Sequence, residues 1–391
     1  MTPYNPYFIG PTGTPQLSFT SPGLISPSFT WETVQTLDYG VDFGLLRNRL
    51  TGTVDLYQRD TKNILTTAAK PMPAVLGTGT PLQNSGSIRT TGVEIAVNWR
   101  DKIGKVGYYF GANVFNSKSV VTSAVNPTNA LNYLYVGQKL GDIWGYVSDR
   151  LYTVNDFTAP AGGWDAKNYT GGTLNANVPK FSGATPNPGD MLFKKFDTTN
   201  QYLSEGAKTL SNPGDRKIIG NSTPKYQFGF NGGVSYANFD FSFVVSGVLK
   251  QDLWINNGLT TPNSYQSYSQ LYANELNYWT PTNLNAYYGR IYYQNGAQAT
   301  NNNTVQTRFL QNGAYVRVRN LTLRYTVPSQ TLKKLKYVTR LQAFCSAENP
   351  FEFDHLPKGV LPDAANQGGA NGSGQSYPFL RKTSIGINLS F

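Results

Sequence analysis

The nine residues from Thr383 to Phe391 alternate between apolar and small or polar side chains and finish on an aromatic ring. Ile385, Ile387, Leu389 and Phe391 fall on one face of an extended chain, and Ser384, Gly386, Asn388 and Ser390 on the other. Because successive strand side chains point to opposite faces, the pattern predicts a strand between an apolar and a polar environment. Most soluble domains end in a few polar, poorly ordered residues. Phenylalanine at the end of an amphipathic strand points instead to lipid on one side and a polar lumen on the other.

The same period recurs upstream in pairs joined by tight turns. Leu37, Tyr39, Val41, Phe43 and Leu45 oppose Asp38, Gly40, Asp42 and Gly44, and a partner strand starts at Leu50 after Arg47-Asn48. Asparagine tolerates the left-handed backbone that hairpin turns require. Val93, Ile95, Val97 and Trp99 lead through a turn at Asp101 to Lys105 into Val106, Tyr108 and Phe110. Tyr226, Phe228, Phe230, Val234 and Tyr236 turn at Asn238 into Phe239, Phe241, Phe243 and Val245. Leu321, Leu323, Tyr325 and Val327 pair with Leu341 to Cys345 across a turn from Pro328 to Tyr337.

Between the pairs lie long polar connections near 63–85, 118–225, 251–313 and 348–382. Short turns on one side and long loops on the other are the outer-membrane arrangement. A further pair is expected inside the second connection, Ile143 to Tyr152 with Asp190 to Phe196, giving about 9 to 11 strands. An odd count near ten does not suit a self-contained bacterial barrel, which has an even number. The fold predicted is all-β: residues 1–391 as the C-terminal half of a 22-stranded antiparallel transmembrane barrel, without its plug domain.

Composition narrows the alternatives. The chain has 39 Gly, 26 Tyr and 21 Phe, and no apolar run approaches the ~20 residues of a membrane helix. A membrane protein of this kind is therefore a barrel. The net charge of +11 is spread over turns and polar strand faces without a dense basic tract, so no nucleic-acid partner is predicted. Attraction to lipid head groups or an acidic partner suits it as well. With one Cys and one His there is no disulfide, no Cys- or His-based metal pair and no nucleophile motif; Cys345 is expected as a packed small residue and His355 as a solvated one. Neither an enzyme nor a cofactor is predicted. Met1 to Pro6 has no secretory signal. A protein with this final strand must be exported, so the expectation is a fragment, or a start taken at an internal Met, whose reading frame continues upstream.

Several segments carry a resemblance. Trp31-Glu32 leading to Leu37-Asp38-Tyr39-Gly40-Val41-Asp42-Phe43-Gly44 and Arg47-Asn48-Arg49-Leu50 is one, and Asn84-Ser85-Gly86-Ser87-Ile88 with Gly92-Val93-Glu94 is another. Ile219-Gly220-Asn221, Pro224-Lys225-Tyr226, Val318-Arg319-Asn320-Leu321 and Glu348-Asn349-Pro350-Phe351 follow in order. Together they resemble the SusC/RagA class of TonB-dependent outer-membrane transporters from about Trp31 onward. The resemblance implies uptake of oligosaccharides or peptides and a SusD-like surface lipoprotein as lid. It also implies outer-membrane lipids as surroundings, the barrel assembly machinery as the inserting factor, and the TonB complex engaged through a missing N-terminal part. Many relatives carry a calcium-type loop before the central hairpin. Here Lys194-Lys195-Phe196-Asp197-Thr198-Thr199-Asn200-Gln201-Tyr202 has two Lys and few carboxylates, so no metal site is carried over.

Ile385, Ile387, Leu389 and Phe391 are expected to form the membrane-insertion signal. Rings in the loops, interleaved with Asn and Gln, suit sugar faces or peptide backbones. Trp144, Trp164, Tyr278, Trp279, Tyr287 and Tyr288 are therefore candidate substrate or lid contacts, although such rings also line barrel rims and stabilise loops by burial. Tyr133, Tyr135, Tyr146, Tyr265, Tyr268, Tyr272, Tyr292 and Tyr293 belong to the same population. Ser267 to Trp279 is expected to form a short amphipathic helix. The rival to the membrane reading is a soluble all-β glycan-binding or adhesive module, in which a second sheet would cover the apolar face.

Overall fold

The computed structural model describes residues 24–27, 29–67, 80–196, 200–255, 272–292, 296–333, 337–362 and 379–391, with the short pieces 7–8, 15–16 and 73. Its frame is one sheet of nine strands: β1 (Thr33–Leu45), β2 (Leu50–Thr67), β3 (Leu82–Ile103), β4 (Val106–Ser123), β5 (Lys225–Tyr236), β6 (Phe239–Lys250), β7 (Tyr315–Thr326), β8 (Arg340–Asp354) and β9 (Lys382–Ser390). Each is antiparallel to its neighbours in the chain, and the spatial order is the chain order. The chain therefore builds its wall as a plain meander, the simplest path for strands joined by turns.

Register keeps the apolar face continuous. Leu45, Leu50, Trp99, Phe110, Gly232, Phe243, Leu321, Ala347 and Thr383 are successive cross-strand partners from β1 to β9. One step further from the turns, Phe43, Gly52, Val97, Ala112, Phe230, Val245, Val318 and Phe351 form a second row. A one-residue slip in any pair would move that strand's apolar set to the polar face. From Val93 to Ile103 the face runs for ten residue steps, about 33 Å along the strand. At a tilt near 40° that is roughly 25 Å, the height of an outer-membrane apolar band.

No second sheet covers this face among the described residues. Ile385 and Phe391 are 84% and 82% exposed, and Ile387, Leu389, Phe239 and Phe241 are exposed with them. The covered core that a soluble sandwich requires is thus replaced by an open apolar surface. Cys345 corrects its expected packed role: it is exposed on the same face, between Leu323 and Ile385.

Glycines thin the wall where rings lie flat across it. A Cβ on Gly52 would stand 2.5 Å from the Phe43 ring, and one on Gly232 2.7 Å from Phe243. On the polar face Gly386 stands in the same way beneath Phe344, at 2.5 Å. Each ring covers a stretch of backbone that has no side chain of its own, which shields the strand and pins its register.

The second turn is tighter than the residue pattern implies. β3 continues to Ile103, so the connection expected over Asp101 to Lys105 shrinks to Gly104-Lys105, with Gly104 at φ +60°. Leu46, Arg47 and Asn48 are all left-handed in the first turn, at φ 54°, 60° and 60°. The strand count is the low end of the expectation, because the extra pair does not join the wall. Ser148–Leu151 and Met191–Phe193 do pair antiparallel, but within the loops, and Asp142–Tyr146 pairs with Arg216–Asn221. These strands of 3 to 6 residues are too short to cross a lipid layer, which takes about 9–11.

The wall makes a direct prediction. Val97 lies near the middle of the lipid-facing band, whereas Ala96 faces the polar side. In the full-length protein, Val97→Arg should destabilise the folded barrel by about 2–4 kcal/mol, and Ala96→Arg by much less. Urea titration of the folded, heat-modifiable form measures this; equal losses for the two variants would contradict the assigned faces.

Candidate functional site

The long connections fold into a cap at the end of the wall opposite the turns. Its main core packs Tyr146, Leu151, Met191, Phe193, Leu203, Trp279, Ala286, Tyr288 and Phe309, with Tyr169, Phe181, Trp254 and Tyr278 against it. These residues come from both long loops, so the two segments, far apart in sequence, fold as one unit. Rings meet edge to face from Trp164 to Tyr169 (5.9 Å between centroids) and from Tyr169 to Trp279 (6.3 Å). Such contacts stabilise beyond the area they bury.

The candidate aromatic residues divide by environment. Trp279 and Tyr288 are each only 4% exposed and belong to the cap core, so contact with a bound molecule would require the cap to open. Tyr278 is half-buried against that core, and Trp164 packs on a smaller cluster of Tyr152, Phe157 and Leu192. Tyr287 is exposed and donates its hydroxyl to the Arg308 carbonyl (2.7 Å), with the Arg308 guanidinium over its ring. Trp144 stands apart, its indole N–H donated to the Tyr135 hydroxyl (3.0 Å). The described part of the expected helix is a short 3₁₀ turn, Ala273–Leu276. Residues 267–271, Tyr265 and Tyr293 lie outside the described residues.

The strongest polar feature of the cap is a knot around Asp190, which is 3% exposed. Its carboxylate accepts from the Tyr292 hydroxyl (2.8 Å), the Asn302 amide (2.9 Å) and the Asn187 backbone N–H (2.7 Å). Burial pushes the Asp190 carboxyl up, against these hydrogen bonds. The same burial, joined by the nearby carboxylate, pushes the Tyr292 hydroxyl up. Next to Asp190, Gly189 at φ +93° lets the Trp279 indole lie on the backbone, where a Cβ would be 2.2 Å from the ring. The Arg290 guanidinium sits 5.0 Å from the Trp279 ring centre. Sequence reading missed Asp190, Arg290 and Asn302; the Asn187-Pro188-Gly189-Asp190 turn was the available signal.

Lys195 Nζ lies 3.8 Å from the fully buried Asp215, whose oxygens accept the backbone N–H groups of Phe196 and Ser204 at 2.6 Å each. Among the described residues no group of three His, Cys, Asp or Glu side chains is arranged around a common point for a metal. A further buried acid is Glu275, with no exposed surface. One of its oxygens accepts from the Tyr272 N–H (2.8 Å); the other has no hydrogen-bond partner among the described residues.

A meander with an unbroken apolar outer face, a polar inner face, tight turns at one end and a folded cap at the other is the wall of an outer-membrane β-barrel. Residues 2–189 match the family model described as "TonB dependent receptor-like, beta-barrel". TonB-dependent receptor P3 of Formosa agariphila is 27% identical over 92% of this chain and 34% of its own length. TonB-dependent receptor SusC of Bacteroides thetaiotaomicron is 22% identical over 99% of the chain and 35% of its own length. Among solved structures, the RagAB peptide transporter superposes with a TM-score of 0.66 at 20% identity, over 100% of this chain and 38% of that one. The chain is similar along its length to TonB-dependent receptor β-barrel proteins, SusC among them, and spans about a third of the length of the curated relatives it matches.

Glu275 gives the cap a testable pH response. Burial raises its carboxyl from the ordinary 4.5 to about 7. The folded cap therefore favours the protonated acid: this stability is full below about pH 4.5 and is lost as pH rises through about 7. Glu275→Gln should keep the cap protected above pH 7, where the parent loosens. Hydrogen exchange of residues 272–292 at pH 5 and pH 8 measures it, and an unchanged pH dependence in the variant would count against the assignment.

Proposed function

We propose that this chain forms part of an outer-membrane importer that takes up nutrient molecules, oligosaccharides or peptides, with energy delivered from the inner membrane through the TonB complex. The observation that carries the reading is the division of the wall: one face built for lipid, the other polar, with the long loops gathered into a cap only at the end away from the turns. The SusC likeness supports uptake across the outer membrane, and the RagAB likeness supports the shared architecture.

In this reading the cap meets a SusD-like surface lipoprotein, and Tyr287, Trp144, Trp164 and Tyr278 supply ring surface to the substrate or to that lid. Trp279 and Tyr288 join them only when the cap rearranges. Ile385, Ile387, Leu389 and Phe391 serve as the segment read by the barrel assembly machinery before they lie against lipid. The protein moves its substrate without changing it chemically.

Deletion of the full-length gene tests this. Cells should lose accumulation of one labelled oligosaccharide or peptide class, the loss should be mimicked by a protonophore, and the tagged protein should copurify with a lipoprotein. Undiminished uptake of both classes, or uptake indifferent to the protonophore, would overturn the proposal.

A further inference from the structure

The lipid-facing side of the wall changes character where it nears the cap. On β2 to β4 the apolar positions give way, beyond Leu56, Val93 and Val114, to polar and charged ones on the same face. Gln35, Asp60, Arg89, Val120 and Lys139 are successive cross-strand partners there, the last on a loop segment that runs on along β4. Lys118 stands two residues from Val120, opposite Thr91, and Lys62 two residues beyond Asp60. Arg89 grips Asp60 at 2.7 and 3.0 Å, so these two charges offset each other. Lys62 donates to the neutral Gln35 side chain at 3.1 Å. Asp142, close to Lys139 in the chain, is engaged by the Lys139 backbone N–H (3.3 Å) and the Asn221 amide (2.8 Å).

Lys62, Lys118 and Lys139 are exposed and take part in none of the ion pairs found among the described residues. Three ammonium groups are thus gathered just above the apolar band. Below them the same face opens into a crevice of about 310 Å³. Val97, Ala112 and Phe230 are cross-strand partners in it, as are Ile95, Val114 and Phe228. The small Ala112 leaves the trough open, and the rings of Phe228 and Phe230, 5.2 Å apart between centroids, form one wall. From Lys118 to Ala112 is six residues of one strand, roughly 20 Å along β4 and about 15 Å in depth at a tilt near 40°. That depth is about half of a hydrocarbon core of ~30 Å.

We propose that this face of the wall holds an anionic lipid, with its phosphate headgroup among Lys62, Lys118 and Lys139 and an acyl chain in the crevice below. The proposal rests on the lipid-facing assignment of the wall and adds to it a preferred lipid and a place for it. Basic side chains at a membrane surface attract anionic headgroups, and lysine stems lie along apolar surface while their ammonium groups reach the headgroup level. A zwitterionic lipid would bring an ammonium of its own into the cluster. An acidic protein would satisfy the lysines but leave the crevice, which opens towards hydrocarbon. A free phosphate has no part that fits the crevice. An anionic lipid joins both features, because the charged and apolar parts of the site lie on one strand at the separation of a headgroup from the middle of the layer.

The test uses the full-length protein with Cys345 replaced by Ser, reconstituted in phosphatidylcholine vesicles. An environment-sensitive label is attached through Val93→Cys, between the lysines and the crevice, or through Phe241→Cys, on the same face away from the lysines. Phosphatidylglycerol or phosphatidylcholine, each brominated in its acyl chains, is then titrated into the vesicles. Half-quenching at position 93 should need roughly tenfold less of the brominated phosphatidylglycerol than of the phosphatidylcholine. At position 241 the two lipids should quench alike. Lys62→Gln, Lys118→Gln and Lys139→Gln together should remove the preference at 93, and Lys118→Gln alone should reduce it. Should the triple variant fail to assemble, the parent gives the same readout, because salt at about 1 M should screen the preference away. Equal quenching by the two lipids at 93, an equal preference at 241, or a preference indifferent to both lysine removal and salt would overturn the proposal while leaving the lipid-facing assignment in place. No quenching by either lipid at either position would overturn both.

Discussion

A hydrocarbon layer offers no hydrogen bonds, and this one fact governs the molecule. Every N–H and C=O that enters the layer must be paired within the protein, so a chain without long apolar helices can cross only as sheet. Pairing alone is insufficient, because each strand must also present the same face to lipid as its neighbour. Nine strands do so here through a register that carries Leu45 to Thr383 across the whole wall. β1 and β9 each keep one edge without a partner among the described residues. Lipid tolerates no such edge, so each must find a strand partner when the protein is in a membrane.

The two ends of the wall answer to different physics. At the turn end, three of the four connections have two to four residues and leave room for little besides backbone, and left-handed residues such as Asn48 and Gly104 close the strands. At the other end the loops are long enough to need a core of their own. The Asp190 knot supplies what burial of rings alone lacks, since a buried carboxylate with three donors tolerates few alternative arrangements of the segments that carry them. Trp279 belongs to both systems: it sits in the apolar core, lies on the Gly189 backbone and takes the Arg290 cation on its face.

Much of the wall is legible in the residues because a strand bathed in two solvents writes its geometry with period two. Phe239, Phe241 and Phe243 place the third hairpin to the residue, and Ile385 to Phe391 the final strand. The cap is illegible for a complementary reason. Its core is assembled from residues such as Tyr146 and Phe309 whose local sequence has no regular period, brought together by contacts more than a hundred positions apart. The Ser148 to Leu151 and Met191 to Phe193 segments were rightly read as extended and paired, yet no local pattern told that they pair within a loop unit. For the same reason the sequence does not separate Trp279 and Tyr288, which stand in the core, from Tyr287, which is exposed.

The account rests on which side of each strand meets lipid, and that can be measured along β6 in the full-length protein with Cys345 replaced by Ser. Environment-sensitive labels placed singly at positions 241, 242, 243 and 244 report quenching by brominated lipid. Strong quenching at 241 and 243 with little at 242 and 244 is the predicted result. Quenching that is uniform, or that alternates in the opposite phase, would contradict the wall described.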